Sequence, residues 1–263
     1  MRGDNPVPAL QSYSELADQL VIVDGGNEEV VVEKAQPDTY CEIVPVFNQW
    51  KKEFDWPFIG QQFQRGYEAC TGDWVIRADL DMIFHERDFR AIRMAIANEP
   101  EALGLSFWKF QFVLPDRYVI KSRIIVAVNK GKFGNRIRFD SGGDLCQPSF
   151  DGYYIEPALV PEARIPIYNY EKIIKTREQI AEDQGRMERA YFRHFGHTQM
   201  GSDGTDQDAY RVWIEAQKGK FNKPQKFIKL TDHPKVIQET IKNLTPDQFG
   251  YNGHAMLEEN KYV

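Results

Sequence analysis

Gly72-Asp73-Trp74-Val75-Ile76-Arg77-Ala78-Asp79-Leu80-Asp81 is the stretch on which the reading of this chain turns. Trp74, Val75 and Ile76 are the β-favouring residues of a short buried strand. Asp79 and Asp81 follow at its C-terminal end, and along extended backbone two positions apart means the same side. Both carboxylates are therefore expected to point into one space above the sheet edge, where open α/β sheets bind ligands. Two hard oxygen donors close together suit Mg²⁺ or Mn²⁺, above all when a diphosphate supplies the remaining ligands. Asp-x-Asp alone is a weak signal, since Asp206-Gln207-Asp208 repeats the spacing and a strand end with two solvated aspartates is the plain alternative.

Upstream, Phe58 to Thr71 is helical, with Ile59, Phe63, Gly66, Tyr67 and Cys70 on one stripe and Gly72 closing it. Leu20 to Val23 is a parallel-type strand ended by the Asp24-Gly25-Gly26-Asn27 turn, and Cys41 to Phe47 is a second strand. Glu28 to Lys34 reads equally as strand or helix start. A short helix from Pro8 to Gln19 precedes them all. Strand, turn, strand, helix, strand implies parallel pairing with right-handed crossovers, hence an α/β fold.

Downstream, Arg87 to Ala97 is a further helix. Leu103 to Val113 and Tyr118 to Val128 read as two strands around Leu114-Pro115-Asp116-Arg117, a β-rich insertion. Arg117, Lys121, Arg123, Lys130, Lys132, Arg136 and Arg138 crowd this region. They fit a solvated edge defended by charge or the seat of an anionic partner about equally. Beyond Ser141-Gly142-Gly143-Asp144 come a strand at Ile165 to Tyr170, then one long helix or a pair divided at Gly185 over Glu171 to Phe195, and helices over Asp206 to Lys218 and Pro234 to Asn243. Thr245-Pro246-Asp247-Gln248 has capping-box spacing. Residues 1–170 are thus expected to form the core, with 171–263 a helical region packed on it. A stripe of Met187, Tyr191 and Phe192 fits core packing better than a homodimer face.

With 263 residues and a formal charge of −6, the chain can bury a substantial core and does not read as a nucleic-acid-coating protein. Cys41, Cys70 and Cys146 are too scattered for a disulfide framework and read as reduced thiols of a cytoplasmic protein. No apolar run reaches the length of a transmembrane segment, and no signal peptide is visible. Rossmann and P-loop phosphate motifs are absent.

Taken in order, Val21-Ile22-Val23-Asp24-Gly25-Gly26, Gln64-Arg65-Gly66-Tyr67-Glu68-Ala69, Thr71-Gly72-Asp73-Trp74 and Asp79-Leu80-Asp81 resemble the family 2 type of glycosyltransferase with the GT-A fold. A looser match is Gly143-Asp144 followed by Tyr168-Asn169-Tyr170. The resemblance implies a mixed, mainly parallel sheet flanked by helices. It also implies transfer, with inversion, from a nucleotide diphosphate sugar donor, UDP-linked, to a saccharide or lipid-linked acceptor. Asp24 would accept hydrogen bonds from base or ribose, with Gly25 letting backbone approach. Asp79 would meet ribose or metal, Asp81 would hold Mn²⁺ or Mg²⁺ against the diphosphate, and Arg65 would support the phosphates. Asp144 would be the general base, with Asp206 or Asp208 the runner-up. The plain readings are an Asx-type turn at Asp24, a surface arginine at Arg65 and a helix cap at Asp206.

Two departures matter. Met1 to Val7 do not read as the family's first strand, and Asn169 stands where a third metal ligand is often histidine. His85, His194, His197 and His254 are the substitutes. The alternative is therefore a non-catalytic saccharide- or nucleotide-binding protein derived from the fold. A nucleotidyltransferase ranks last, for want of a glycine-rich basic loop near the N-terminus.

Overall fold

A computed structural model describes residues 7–26, 41–140, 147–221 and 223–254. Helix α1 (Val7–Leu16) buries Ala9, Leu10, Tyr13 and Leu16. Strand β1 (Gln19–Asp24) pairs in parallel with β2 (Glu42–Phe47), from Gln19 opposite Glu42 to Asp24 opposite Phe47. The ambiguous stretch from Glu28 to Lys34 lies outside the described residues.

Helix α2 (Pro57–Ala69) starts on a proline, which lacks the N–H a first turn would leave orphaned. Its buried side is Gly60, Gln62, Gln64 and Tyr67, a more polar face than the expected stripe. The reason is a close backbone: a Cβ on Gly60 would sit 2.5 Å from the Phe139 carbonyl, while Gln64 Oε1 accepts from the Phe139 N–H at 2.9 Å. Then come β3 (Trp74–Ile76), β4 (Met82–Ile83) and α3 (Phe89–Asn98), which buries only Ile92 fully.

The two longest strands, β5 (Gly104–Leu114) and β6 (Arg117–Asn129), form a hairpin about Pro115 and Asp116. Helix α4 (Lys130–Phe133) leads to a small sheet of β7 (Ile137–Arg138), β8 (Ser149–Phe150) and β9 (Tyr153–Tyr154). Strand β10 (Glu162–Asn169), helices α5 (Arg177–Phe195) and α6 (Asp206–Phe221), strand β11 (Lys226–Phe227), and helices α7 (Lys235–Lys242) and α8 (Phe249–Asn252) complete the order.

The main sheet runs β11-β6-β5-β10-β4, with β3 also on β6. Only β10 with β5 is parallel; every other pairing in this sheet is antiparallel. The architecture is mixed α/β, but the sheet is not mainly parallel, and the expected β-rich insertion is its central hairpin. A two-residue connection can only reverse the chain; β6 returns it to the end where β5 began, and residues 130–161 lead on to β10, which therefore runs parallel to β5. β11 and the buried Ile237 bring the C-terminal region into the sheet and its core.

The hairpin is bulged. Trp108 faces Arg123 while Phe110 faces Ile120, so Lys121 and Ser122 together oppose Lys109. Side chains alternate, and at this end the two faces differ sharply. Phe110, Phe112, Tyr118, Tyr168 and Tyr170 stack on one, Phe112 on Tyr170 at 4.6 Å and 5°. Lys109, Gln111, Asn169 and Lys121 belong to the other, Asn169 lying between Met82 and Gln111 in the ladder.

Helix α5 opens with a full capping box, Thr176 with Gln179, and closes at Gly196 in the left-handed conformation, φ 78°. Gly185 does not break it. A Cβ there would lie 2.9 Å from the Asp206 Cα, so the glycine lets α6 start against α5. Thr245 and Gln248 form a turn, the Thr245 N–H donating to Gln248 Oε1 at 2.9 Å, and α8 begins only after it. No described helix is long and apolar enough to cross a membrane.

Candidate functional site

Asp79 and Asp81 are brought together, by a different device from strand alternation. The Met82 N–H donates to the Asp79 carbonyl at 2.9 Å, closing a tight turn between β3 and β4. The Tyr170 N–H then donates to the Asp81 carbonyl at 2.8 Å, tying the turn to the end of β10. From α1 the buried Tyr13 hydroxyl reaches the carbonyls of both Asp79 and Met82. The turn is therefore held at both ends.

The half-buried Asp81 carboxyl is pushed up to about 7 by burial first, then by Asp79 and Glu171, against the pull of Lys175 and Lys109. Glu171 goes the other way. Burial opposes its ionisation, but Lys172, at 2.6 Å, together with Lys109 and Lys175, holds it below the usual carboxylate range. The Tyr13 phenol is raised by burial and by both aspartates. Among the described residues, Asp81 Oδ1 is buried with no hydrogen-bond partner, and so are Asn169 Oδ1 and Gln111 Oε1 on the adjoining strands. Asn169 is 1 % exposed and Gln111 9 %, so three oxygen acceptors stand shielded from water at one end of the sheet.

This donor set is two carboxylates with amide oxygens beside them, hard ligands of the kind Mg²⁺ and Mn²⁺ take. Among the described residues no group of three or more His, Cys, Asp or Glu side chains is arranged to hold a metal. A cation here would draw on Asp79, Asp81 and the ligand's own phosphates, with Asn169 and Gln111 as neutral donors.

The other expected site residues have local partners of their own or lie outside the described residues. Asp24 ends β1 and accepts from the Gly26 N–H at 3.0 Å, an Asx-type turn. Gly25 is required because a Cβ would sit 2.7 Å from that of Trp50, a packing reason rather than ligand approach. Arg65 is exposed on α2 and makes no hydrogen bond or ion pair among the described residues. Asp144 lies outside the described residues, as does Cys146. Asp206 opens α6 and binds Arg189 at 2.7 Å, while Asp208 accepts from the Asp203 N–H and from Arg211. The cap of that helix is Thr205, whose Oγ1 accepts from the Asp208 N–H at 3.2 Å.

Nor does a histidine reach the acidic turn. His85 Nδ1 accepts from the Arg87 N–H at 3.3 Å, His254 bonds Tyr210 and Asp247, and His194 and His197 are exposed beside Phe195. A cleft of about 540 Å³ lined by Arg189, Arg193, His197 and Ser202 lies along α5 instead. Its arginines are already paired with Glu53 and Asp206.

The seven cations of the hairpin region resolve. Arg117, Arg123, Lys132, Arg136 and Arg138 pair with Asp116, Glu162, Glu101, Asp151 and Asp140. Lys130 caps the C-terminus of α2, donating to the Tyr67 carbonyl at 2.7 Å and to those of Glu68 and Cys70. Lys121 alone turns to the site, where the burial-lowered pKa of its ammonium is lowered further by Lys109 and Lys223. Tyr13, Gln111, Glu171, Lys172, Lys175 and Lys220 went unnoticed in the sequence. The one available signal was Glu171-Lys172 with Lys175 just after a buried strand, which reads as ordinary helix surface.

No protein-family model matches the chain, and comparison with curated proteins finds no relative.

Proposed function

We propose that the chain is a glycosyltransferase that takes a sugar from a nucleotide diphosphate donor, UDP-linked, and passes it to a saccharide or lipid-linked hydroxyl with inversion. The observation that carries the reading is the turn on which Asp79 and Asp81 crowd each other, with Asp81 Oδ1 buried and unpartnered. A carboxyl whose ionisation is hindered by burial and by a neighbouring carboxylate is relieved by a cation. Mn²⁺ or Mg²⁺ bound there supplies a Lewis acid for the departing diphosphate. In this reading Tyr13 and Tyr170 keep the turn in register with β10, and Asp144 takes the acceptor proton. Asp24 would bind base or ribose and Arg65 would support the phosphates.

The test is calorimetry with UDP and Mn²⁺ on wild type and Asp81→Asn, followed by turnover across a donor panel. Metal-dependent UDP binding that the variant loses supports the assignment; equal affinity in the two proteins ends it. A second reading, a non-catalytic saccharide- or nucleotide-binding protein, is favoured by the neutral, buried Asn169 beside the turn. Binding without turnover of any donor would select it.

A further inference from the structure

Lys109 on β5 and Lys121 at the bulge of β6 oppose each other on one face of the hairpin, and Lys220 lies near the end of α6, a helix that packs on β5. We propose that Lys109, Lys121 and Lys220 form a seat for a phosphate or diphosphate group. The seat borders Asp81 and so rests on reading this end of the sheet as the ligand site, but it does not depend on the cation or on transfer.

The geometry separates these lysines from their neighbours. Lys172 and Lys175 are 8 % and 7 % exposed and are tied to Glu171 and Asp183 at 2.6 Å each. They form a neutralised floor. The ammonium groups of Lys109, Lys121 and Lys220 make no hydrogen bond or ion pair among the described residues. The bulge sets Lys121 and Ser122 together against Lys109, so two like charges share one face of the strand pair, offset rather than squarely opposed. Lys220 lies close enough that burial, then Lys121, and also Lys172 and Lys109, bring its ammonium down to about 8, with Glu171 opposing. Three unpaired cations around one point are destabilising unless an anion joins them. Lysine is a point-charge donor suited to the tetrahedral oxygens of phosphate. Three ammonium groups, with that of Lys223 near Lys121, are enough for one phosphate or diphosphate and too few for a nucleic-acid track.

The probe is inorganic pyrophosphate, followed by calorimetry on the full chain in EDTA at low and raised ionic strength. Wild type is expected to bind, more weakly as salt rises. Lys121→Ala and Lys220→Ala should each lose about tenfold in affinity, the size expected for one charge-assisted hydrogen bond. Both positions retain access to water, and thermal melts of Lys121→Gln and Lys220→Gln check that folding is kept. At pH ~8, wild type should take up protons on binding, shown by buffers of different ionisation enthalpy, and Lys220→Met should take up fewer. Absence of pyrophosphate binding by wild type, or equal binding by folded lysine variants, overturns the proposal.

The source of the phosphate is read by competition. UDP that displaces pyrophosphate in EDTA identifies the donor's diphosphate; UDP with Mn²⁺ binding alongside pyrophosphate identifies a phosphate on the second substrate. Asp81→Asn should bind pyrophosphate in EDTA at least as tightly as wild type, since a negative neighbour has gone. Loss of metal-dependent UDP binding in that variant is thus a separate result.

Discussion

The Tyr13 hydroxyl on α1 is hydrogen-bonded to the backbone carbonyl of Asp79, 66 positions along the chain. It reaches the Met82 carbonyl as well, so a single phenol clamps both ends of the turn that carries Asp81. An element at the start of the described chain thereby fixes the acidic pair.

Tyr13→Phe keeps the ring, which packs edge-on to Phe84 at 6.3 Å, and removes only the clamp. It should destabilise the protein by about 0.5–1.5 kcal/mol, the usual net effect of losing one buried hydrogen bond, since the Asp79 carbonyl keeps the Met82 N–H. Urea denaturation measures this. Mn²⁺-dependent UDP binding should weaken in the same variant, and an unchanged affinity would show that the turn keeps its shape unaided.

Asp81 makes stability depend on pH. Its carboxyl holds a proton up to about 7 when folded, whereas an unfolded aspartate releases it near 3.9. Between those values the folded state binds more protons, so this group's contribution is complete below the lower one and is lost as pH rises through about 7. Asp81→Asn should therefore raise stability on the order of 1–2 kcal/mol at pH ~8, about 2–4 °C in Tm per kcal/mol, and change little near pH 4. Thermal melts at the two pH values decide it. Saturating Mn²⁺ should stabilise wild type at pH ~8 and leave the Asn variant unmoved.

Asp206 joins Arg189, which also grips Glu53 at 2.9 Å, so this carboxylate belongs to a bridge between α5, α6 and residue 53. Its side chain is 45 % exposed, and solvent screening limits the bridge to about 1 kcal/mol or less. Asp206→Asn should lower Tm slightly and leave transfer per folded molecule unchanged. A large fall in kcat without loss of stability would return the general-base role to this position.

Gly185→Ala is expected to destabilise by about 1–3 kcal/mol, because the new methyl must push α6 off α5. Denaturant titration would register it as a lower midpoint with the slope preserved.

Local structure was largely legible in the sequence and long-range pairing was not. α1, β1, β2, α2 and the short strand at Trp74 follow from apolar periodicity and from Gly and Pro punctuation, and they fall within a few residues of expectation. The strands at Leu103 to Val113 and Tyr118 to Val128 were equally visible, but residue pattern does not say which partner a buried strand takes. An insertion and a central hairpin look the same one residue at a time. Strand alternation and a tight turn both bring Asp79 and Asp81 to one side, and only the Met82 hydrogen bond tells them apart. Gln111 and Asn169 read as incidental polar residues in apolar strands, because their meaning lies in what faces them across the ladder. Lys220 is more than 90 positions from Lys121 and Lys109, a separation that local pattern does not bridge.

Ser122 has a consequence for how β6 tolerates change. Shortening the strand by that residue would leave the aromatic side in step while placing Lys121 squarely across from Lys109, where two ammonium groups strain the ladder most. The surplus residue thus acts as a spacer. It lets a positively charged surface be carried by strands that must also stay zipped together, and length changes here should be far less forgiving than side-chain replacements.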